Sequence, residues 1–304
     1  MNGDSATLHA LIAMETQQPV PDAVTACIAH LCEHFGETTA GILFYGGGLR
    51  QTVTPRTILD FYVVVDSTRA ALKSPIAAFA ATLLPPNVYM MEIPTVYGSL
   101  RAKVAVMNRR GFIAGMNAFA SHLWARFAQP AVIVYARDAH AREDLAAALA
   151  AAVTTFIART LPLMEAAFTT HELWVRGLQE CYAAELRPEH GARADVLLAD
   201  MGERTVAATI ALLGQPNADG RYPSVHASRA AKAAWWLRRR WGKAANLLRL
   251  MNAAFTFKGG LDYAVAKIAR HTGVQVQISD RDRRHPLLAG IRVFLEARRR
   301  GGVR

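Results

Sequence analysis

The stretches AGILFYGGG (Ala40–Gly48) and TILDFYVVVD (Thr57–Asp66) decide how the first half of this chain is read. Each is short, rich in β-branched and aromatic residues and bounded by glycine, proline or an acid, the composition of a buried or half-buried strand. Together they give a strand, a glycine turn, and a second strand that carries Asp60 twelve residues past Gly48. Three more runs share the pattern: NVYMMEI (Asn87–Ile93), LRAKVAVMN (Leu100–Asn108) and AVIVYARD (Ala131–Asp138). Five strands of one mixed sheet are expected.

The surroundings of these runs are helical. In PDAVTACIAHLCEHF, residues Val24, Ile28, Leu31 and Phe35 recur at helical spacing and Gly36 closes the stretch. Ala70–Leu84 and Arg110–Phe127 have helix-forming composition. After Asp138 the pattern turns fully helical, through Ala141–Leu161, Thr169–Leu186 with Thr170 as N-cap, and Ala192–Leu213. GQPNADGRYPS (Gly214–Ser224) holds two prolines and two glycines and reads as a linker. The expected architecture is α+β: a mixed-sheet domain over residues 1–138, a helical domain over 139–220 and a basic helical region over 221–304.

Composition bounds the function. With 304 residues and 52% of them hydrophobic, the chain fills a core and is not a disordered segment. The longest uncharged stretches, Leu145–Ala158 and Ser74–Met91, are too short for a bilayer or broken by Pro85-Pro86, so no transmembrane helix is expected. The opening residues carry acids and lack a basic region before an apolar run, which is unlike a signal peptide and points to a cytoplasmic location. Cys27, Cys32 and Cys181 form no CxxC pair and read as small buried hydrophobes.

The formal charge of +11 is concentrated at one end. From Arg229 to Arg304 there are 18 Lys/Arg against 4 Asp/Glu, a net of +14, which leaves residues 1–228 at −3. Such a segment calls for an anionic partner, either nucleic acid or anionic lipid.

The chemistry is expected in the first domain. In Tyr45-Gly46-Gly47-Gly48 the missing side chains let backbone N–H groups approach a triphosphate, and Asp60 on the next strand would hold a Mg²⁺ ion bridging those phosphates. Asp66 lies too far along the same strand to share that ion, roughly 20 Å at about 3.3 Å per residue. Polymerase-like nucleotidyltransferases place a second acid two residues along, and here that position is Tyr62. Glu92 is the first choice for a second carboxylate and Asp138 the second. Lys103 shares a strand face with Arg101 and Ala105, where a cation would neutralise phosphate or departing pyrophosphate.

The order YGGG, LDFYVVVD, LRAKVAV, WARFAQP, GLQECYAAELRPE and FTFKGGLDYAVAKIARH resembles the mitochondrial-type phosphatidate cytidylyltransferases, or CDP-diacylglycerol synthases, from about Gly41 to His271. The family's YGSG turn falls on Tyr45–Gly48, its acid strand on Leu59–Asp66 and its KYG segment on Lys103-Val104-Ala105. Its GR-x-x-KP segment falls on Ala125–Pro130, its GLSYSGDFR segment on Gly177–Arg187 with Glu185 as the acid, and its KG on Lys258-Gly259. Three positions depart: the turn serine is Gly47, KYG is Lys-Val-Ala and the KP lysine is Gln129. Loss of the serine removes a hydroxyl that would hold a phosphate, which bears on efficiency or acceptor choice.

The resemblance implies a polymerase-β-like nucleotidyltransferase domain, a winged-helix-like helical domain and a helical tail. It also implies a Mg²⁺-dependent reaction in which the phosphate of phosphatidate attacks the α-phosphorus of CTP and pyrophosphate leaves. In that scheme Asp60 and Glu92 position metal, while Tyr45, Gly46, Gly47, Gly48 and Arg126 hold the nucleotide. Lys103 and Arg187 stabilise developing charge.

In the tail, Ala230, Ala234, Leu237, Trp241, Ala245, Leu248 and Met251 form an apolar helical series, with Arg229, Lys232, Arg239, Arg240 and Lys243 largely off it. Trp235, Trp236 and Trp241 beside arginines suit a bilayer interface, which places the protein at the inner face of the cytoplasmic membrane. Lys258, Lys267 and Arg270 are expected at a lipid headgroup. His271 has no partner at metal spacing. The alternatives are a nucleotidyltransferase with another acceptor, or a degenerate domain that only binds nucleic acid or membrane.

Overall fold

A computed structural model of the chain describes residues 4–49, 53–54, 57–72, 85–184, 192–223 and 228–256, together with Ser279 and Arg292. The fold is mixed α and β, built on one five-stranded sheet. All five expected strands form: β1 (Thr39–Tyr45), β2 (Ile58–Val65), β3 (Asn87–Thr95), β4 (Gly98–Asn108) and β5 (Ala131–Ala136). Their order is β3-β4-β2-β1-β5. β2 and β4 run parallel, and the other neighbours are antiparallel, so the sheet is mixed.

Both faces of the sheet are covered, which is why β1 and β2 read as continuous apolar runs rather than alternating ones. On one face Ile42, Phe44, Leu59, Phe61, Val63, Ala102, Val104 and Val106 pack under α2 (Asp22–Phe35) through Val24, Cys27, Leu31 and Phe35. The other face carries Leu43, Tyr45, Tyr62, Val64, Ala105, Met107 and Ile133. It is covered by α1 (Ser5–Glu15), α4 (Arg109–Asn117), α5 (Leu123–Phe127) and α6 (Ala139–Thr160), while α3 (Thr68–Ala71) is a single turn after β2.

The core on that second face continues without a break through α6 into α7 (Thr170–Ala183), α8 (Ala192–Leu213) and Trp235 of α9 (Arg229–Thr256). Phe156 of α6 stacks on Trp174 of α7 at 4.6 Å between ring centroids, and the indole N–H of Trp174 donates to Thr209 of α8 at 3.0 Å. Helix α6 with the turn after it, Ala139–Leu163, is long and apolar enough to cross a membrane by length and composition, longer than its uncharged segment Leu145–Ala158 suggests. Here its apolar residues Leu145, Leu149, Val153, Phe156 and Ile157 are core.

Several boundaries differ from the sequence reading. The N-cap of α7 is Thr169, not Thr170: its hydroxyl accepts from the Glu172 backbone N–H while the Glu172 carboxylate accepts from the Thr169 N–H, a reciprocal capping box. The segment 110–127 forms two helices, because Ala118–His122 breaks it and the Trp124 indole N–H donates to the Ala118 carbonyl. Helix α1 was not anticipated; it starts at an Asp4 cap, contributes Leu8 and Ile12 to the core, and is tied to α8 by a part-buried Glu15–Arg204 ion pair. Gly214–Pro223 is held to the helical body: Phe168 and Tyr222 pair as an isolated bridge, and the Tyr222 hydroxyl donates to the Gly214 carbonyl.

Of the cysteines, Cys27 and Cys181 are buried and Cys32 is half-buried. Burial pushes the Cys27 thiol up to about 11.

Candidate active site at one end of the sheet

Strand register assembles the site. Tyr45, the last residue of β1, lies opposite Asp60; Asp60 lies beside Lys103; and Lys103 lies opposite Met90. One row thus crosses four strands near the end of the sheet where β1 finishes and β2 begins. The row lies on the face that carries Tyr45 and Tyr62, and the Asp60 and Lys103 side chains are 25% and 29% exposed, within reach of a ligand.

Lys103 Nζ approaches Asp60 Oδ1 at 3.5 Å. The other carboxylate oxygen faces the glycine turn. Gly46 has a positive φ of 84°, which glycine adopts at no steric cost, and a Cβ built there would stand 3.0 Å from Asp60 Oδ2. Gly46 is therefore required twice, by its backbone and by the space the carboxylate needs. Gly48 is required by packing against the Phe44 ring, whereas a Cβ on Gly47 meets nothing within 4 Å. Gly46–Leu49 forms one tight 3₁₀ turn.

Arg126 completes the group. It stands on α5, and its guanidinium lies 5.4 Å from the centroid of the Tyr45 ring, a cation–π distance. The structure therefore brings together Tyr45, Gly46, Asp60, Lys103 and Arg126, residues spread over 82 positions of sequence. Beneath them lies an aromatic floor: Tyr62 sits 5.9 Å from Tyr45, 5.7 Å from Phe112 and 5.2 Å from Phe127 between ring centroids. Tyr62 is 1% exposed, so a second acid at that position would be buried in hydrocarbon.

The other carboxylates fall elsewhere. Glu92 is exposed and lies opposite Arg101, two residues beyond the Met90–Lys103 pair and two strands from Asp60. Strand spacing and rise put its Cα roughly 12 Å from that of Asp60, near the limit for sharing one ion. Asp138 is at the opposite end of the sheet. It caps α6, accepting from the Ala141 N–H at 2.7 Å, and pairs with Arg137, interactions that hold its carboxyl below the usual range, the backbone hydrogen bond most of all. It caps a helix there and does not converge with Asp60. Asp66 is at that same far end, paired with Arg137 and 4.0 Å from Arg109, beside a shallow open depression lined by Arg109, Arg110, Ile113 and Ala114. Arg187, Lys258, Lys267 and Arg270 lie outside the described residues.

Among the described residues no three His, Cys, Asp or Glu side chains converge as a metal-ligand group. Magnesium, however, is commonly held by one or two carboxylates plus substrate phosphates. The Asp60 carboxylate beside a cradle that a Cβ would fill fits that minimal arrangement.

The tail helix differs from its sequence reading. The inward seam of α9 is Ala231, Trp235, Arg238 and Gly242, of which Trp235 and Arg238 are buried and the other two half-buried, while Ala230, Ala234, Leu237 and Trp241 face outward. Trp235, expected at a lipid surface, is 2% exposed, packs edge-on against Phe119 and Trp124, and donates its indole N–H to the Arg159 carbonyl at 3.0 Å. Arg238 is buried too. Its guanidinium lies 4.2 Å from the Trp124 centroid and bonds the carbonyls of Phe119 and Ser121. Its pairing with the three aromatics Phe119, Trp124 and Trp235 was invisible in sequence. Gly242 lets the helix pass against the Ala184 carbonyl.

Arg239 and Lys232 pair with Glu180 and Glu165 of the body, so part of the basic face is neutralised internally. Trp236, Leu237 and Trp241 remain 53%, 62% and 61% exposed, with Arg240 stacked on Trp236. The helix also passes alongside the edge strand β3.

The chain matches no protein-family model and no curated protein at a significant level.

Proposed function

We propose that this chain is a nucleotidyltransferase of the polymerase-β-like kind, acting as a CTP:phosphatidate cytidylyltransferase that makes CDP-diacylglycerol for phospholipid synthesis. The observation that carries the reading is the row Tyr45–Asp60–Lys103 set against the Gly46 cradle, with Arg126 above it. An acid, two cations and an open glycine turn on one sheet end suit a triphosphate and a metal ion. In this reading α6–α8 supply the winged-helix-like part.

The residues divide the work. Asp60 would hold Mg²⁺, which supplies neutralisation of phosphate charge and polarisation of the phosphorus under attack. The backbone N–H groups of Gly46–Gly48 bind phosphate oxygens, and Arg126 with Tyr45 orients the nucleotide. Lys103 neutralises negative charge as pyrophosphate leaves, while Glu92 would be the second carboxylate toward metal. The acceptor is the phosphate of phosphatidate, which becomes bonded to the α-phosphorus as the bond to pyrophosphate breaks.

The outward stripe of Trp236, Leu237 and Trp241, beside Arg240, supports a peripheral position on an anionic membrane, at the inner face of the cytoplasmic membrane. Indole at headgroup depth and cations against anionic lipid are the expected contacts, with Lys258, Lys267 and Arg270 proposed at the lipid headgroup. Trp241→Ala should lower retention on phosphatidate-containing vesicles severalfold while leaving the folded protein intact. Unchanged retention contradicts the membrane assignment.

The direct test is pyrophosphate release with Mg²⁺ and phosphatidate in mixed micelles, with CTP or ATP as nucleotide. Release that needs both CTP and the lipid supports the reading. Release from CTP with a different acceptor keeps the nucleotidyltransferase and moves the substrate. The lack of a second carboxylate converging with Asp60 among the described residues favours one other reading, a binding module without catalysis. CTP binding with no release under any metal would select it.

A further inference from the structure

The Lys103–Asp60 pair occupies the position where an incoming cation must bind, and it does so from a neighbouring parallel strand with no flexible loop between. Lys103 Nζ stands 3.5 Å from Asp60 Oδ1, while Oδ2 is turned to the Gly46 cradle. Both side chains are partly exposed, so the pair is held by modest attraction rather than by burial. A weak pair of this kind is one that a divalent ion can displace. The lysine stem is long and free to rotate at several bonds, so its ammonium can leave the carboxylate without any backbone movement.

Resting on the nucleotidyltransferase reading above, we propose that Lys103 is a resident counterion that is handed from Asp60 to the nucleotide phosphates when metal and triphosphate bind together. Without ligand, Lys103 neutralises Asp60 and keeps its affinity for metal low. When a metal–triphosphate complex enters, the metal takes the carboxylate and the ammonium takes the phosphate charge. No group is left unpaired at either stage. The consequence is a strong preference for metal that arrives with phosphate over free metal. It makes Lys103 a residue that couples the two ligands, beyond simply adding positive charge.

The coupling has a signature that plain electrostatic repulsion lacks. Removing any nearby cation strengthens metal binding whether or not phosphate is present. Removing a cation that changes partner strengthens metal binding alone and weakens it when phosphate is present.

The experiment is Mn²⁺ binding to the full chain, read by equilibrium dialysis as the metal retained with the protein, with and without inorganic pyrophosphate. It compares the wild type with Lys103→Met, Lys103→Gln and Asp60→Asn. Without pyrophosphate, both Lys103 variants are expected to bind Mn²⁺ about twofold to fivefold more tightly, the scale of an exposed ion pair. With pyrophosphate the order reverses, and the wild type binds more tightly than either variant. Tighter binding by the variants in both conditions reduces Lys103 to a repulsive charge and overturns the handover. Unchanged or weaker binding without pyrophosphate overturns it as well. Wild-type Mn²⁺ affinity in Asp60→Asn would instead remove the metal site itself, and with it the proposed function, which separates the two failures.

Discussion

The two ends of strand β2 carry the same kind of residue in opposite circumstances. Asp66, just past its C-terminal end, sits in a web with Arg137, Arg109, Asp144 and Asp138, where the acids and bases pair with one another and Asp138 also caps a helix. Asp60, near the N-terminal end, faces a lysine across 3.5 Å, a glycine turn stripped of side chains and an arginine-covered tyrosine. The first end is knit by ion pairs and a helix cap; the second sets a partly exposed acid against a glycine turn with room beside it. A network of the first kind holds elements together, and an accessible acid beside an open glycine turn is what a charged ligand completes. The comparison teaches that an acid on a strand is assigned by what its neighbours leave unfinished.

The sharpest way to break this contrast is to supply the acid that polymerase-like enzymes carry two residues along. If the second end were a general metal site, Tyr62→Asp would strengthen it. The account expects instead an unpaired carboxylate among Tyr45, Phe112 and Phe127, costing about 3 kcal/mol or more. Urea denaturation measures it, and stability close to wild type would show that the floor is wetter than described.

A comparable loss is expected at the tail, where Trp235→Ala leaves a cavity beside Phe119 and Trp124 and costs about 3–5 kcal/mol. Trp236→Ala, one residue away and exposed, should stay within about 0.5 kcal/mol by the same denaturation. Equal effects would mean that the two tryptophans do not differ in burial as the structure has them, 2% against 53% exposed.

Gly46→Ala sharpens the open end. The positive φ and the crowding of Asp60 Oδ2 together should cost about 1 kcal/mol or somewhat more. Metal and nucleotide binding should fall further than stability does, because the carboxylate must move; calorimetry with CTP and Mg²⁺ separates the two.

The smallest effect belongs to the far end. Its carboxyl Asp138 is held below its ordinary value by the Ala141 N–H and by Arg137. A lowered folded-state value means its contribution is present above the unfolded carboxylate range and is lost as pH falls through the lowered value. Thermal unfolding followed from pH 6 to pH 2 should therefore show an acid-side decline that Asp138→Ala flattens. A decline of the same depth in that variant would place the acid sensitivity elsewhere.

The strands were legible because buried β-branched runs bounded by glycine, proline and acid have few alternatives. Asp60, Gly46 and Lys103 could be singled out by residue type, but their meeting could not: it depends on β2 and β4 running parallel in a register that pairs residues 43 apart. The tail failed for a different reason. A binary pattern counts Arg238 as polar and Gly242 as a breaker, yet one is buried by stacking on aromatics and the other faces the body, where a Cβ would meet the Ala184 carbonyl. Of the apolar series it picked, Ala230, Ala234, Leu237 and Trp241 are the outward face, and the side chains of Ala245, Leu248 and Met251 lie outside the described residues. Thr169 could have been found, since only Thr169 has glutamate three residues on, the spacing a capping box requires.

The most direct test compares Asp60→Asn with Asp66→Asn in CTP-dependent pyrophosphate release with Mg²⁺ and phosphatidate, with folding checked by circular dichroism. The account expects Asp60→Asn to lose activity by about a thousandfold with stability nearly unchanged, as removal of a key electrostatic group does. It expects Asp66→Asn to keep its activity while losing about 0.5–1 kcal/mol of stability. Activity that survives in Asp60→Asn, or disappears in a folded Asp66→Asn, would contradict the assignment of the two ends.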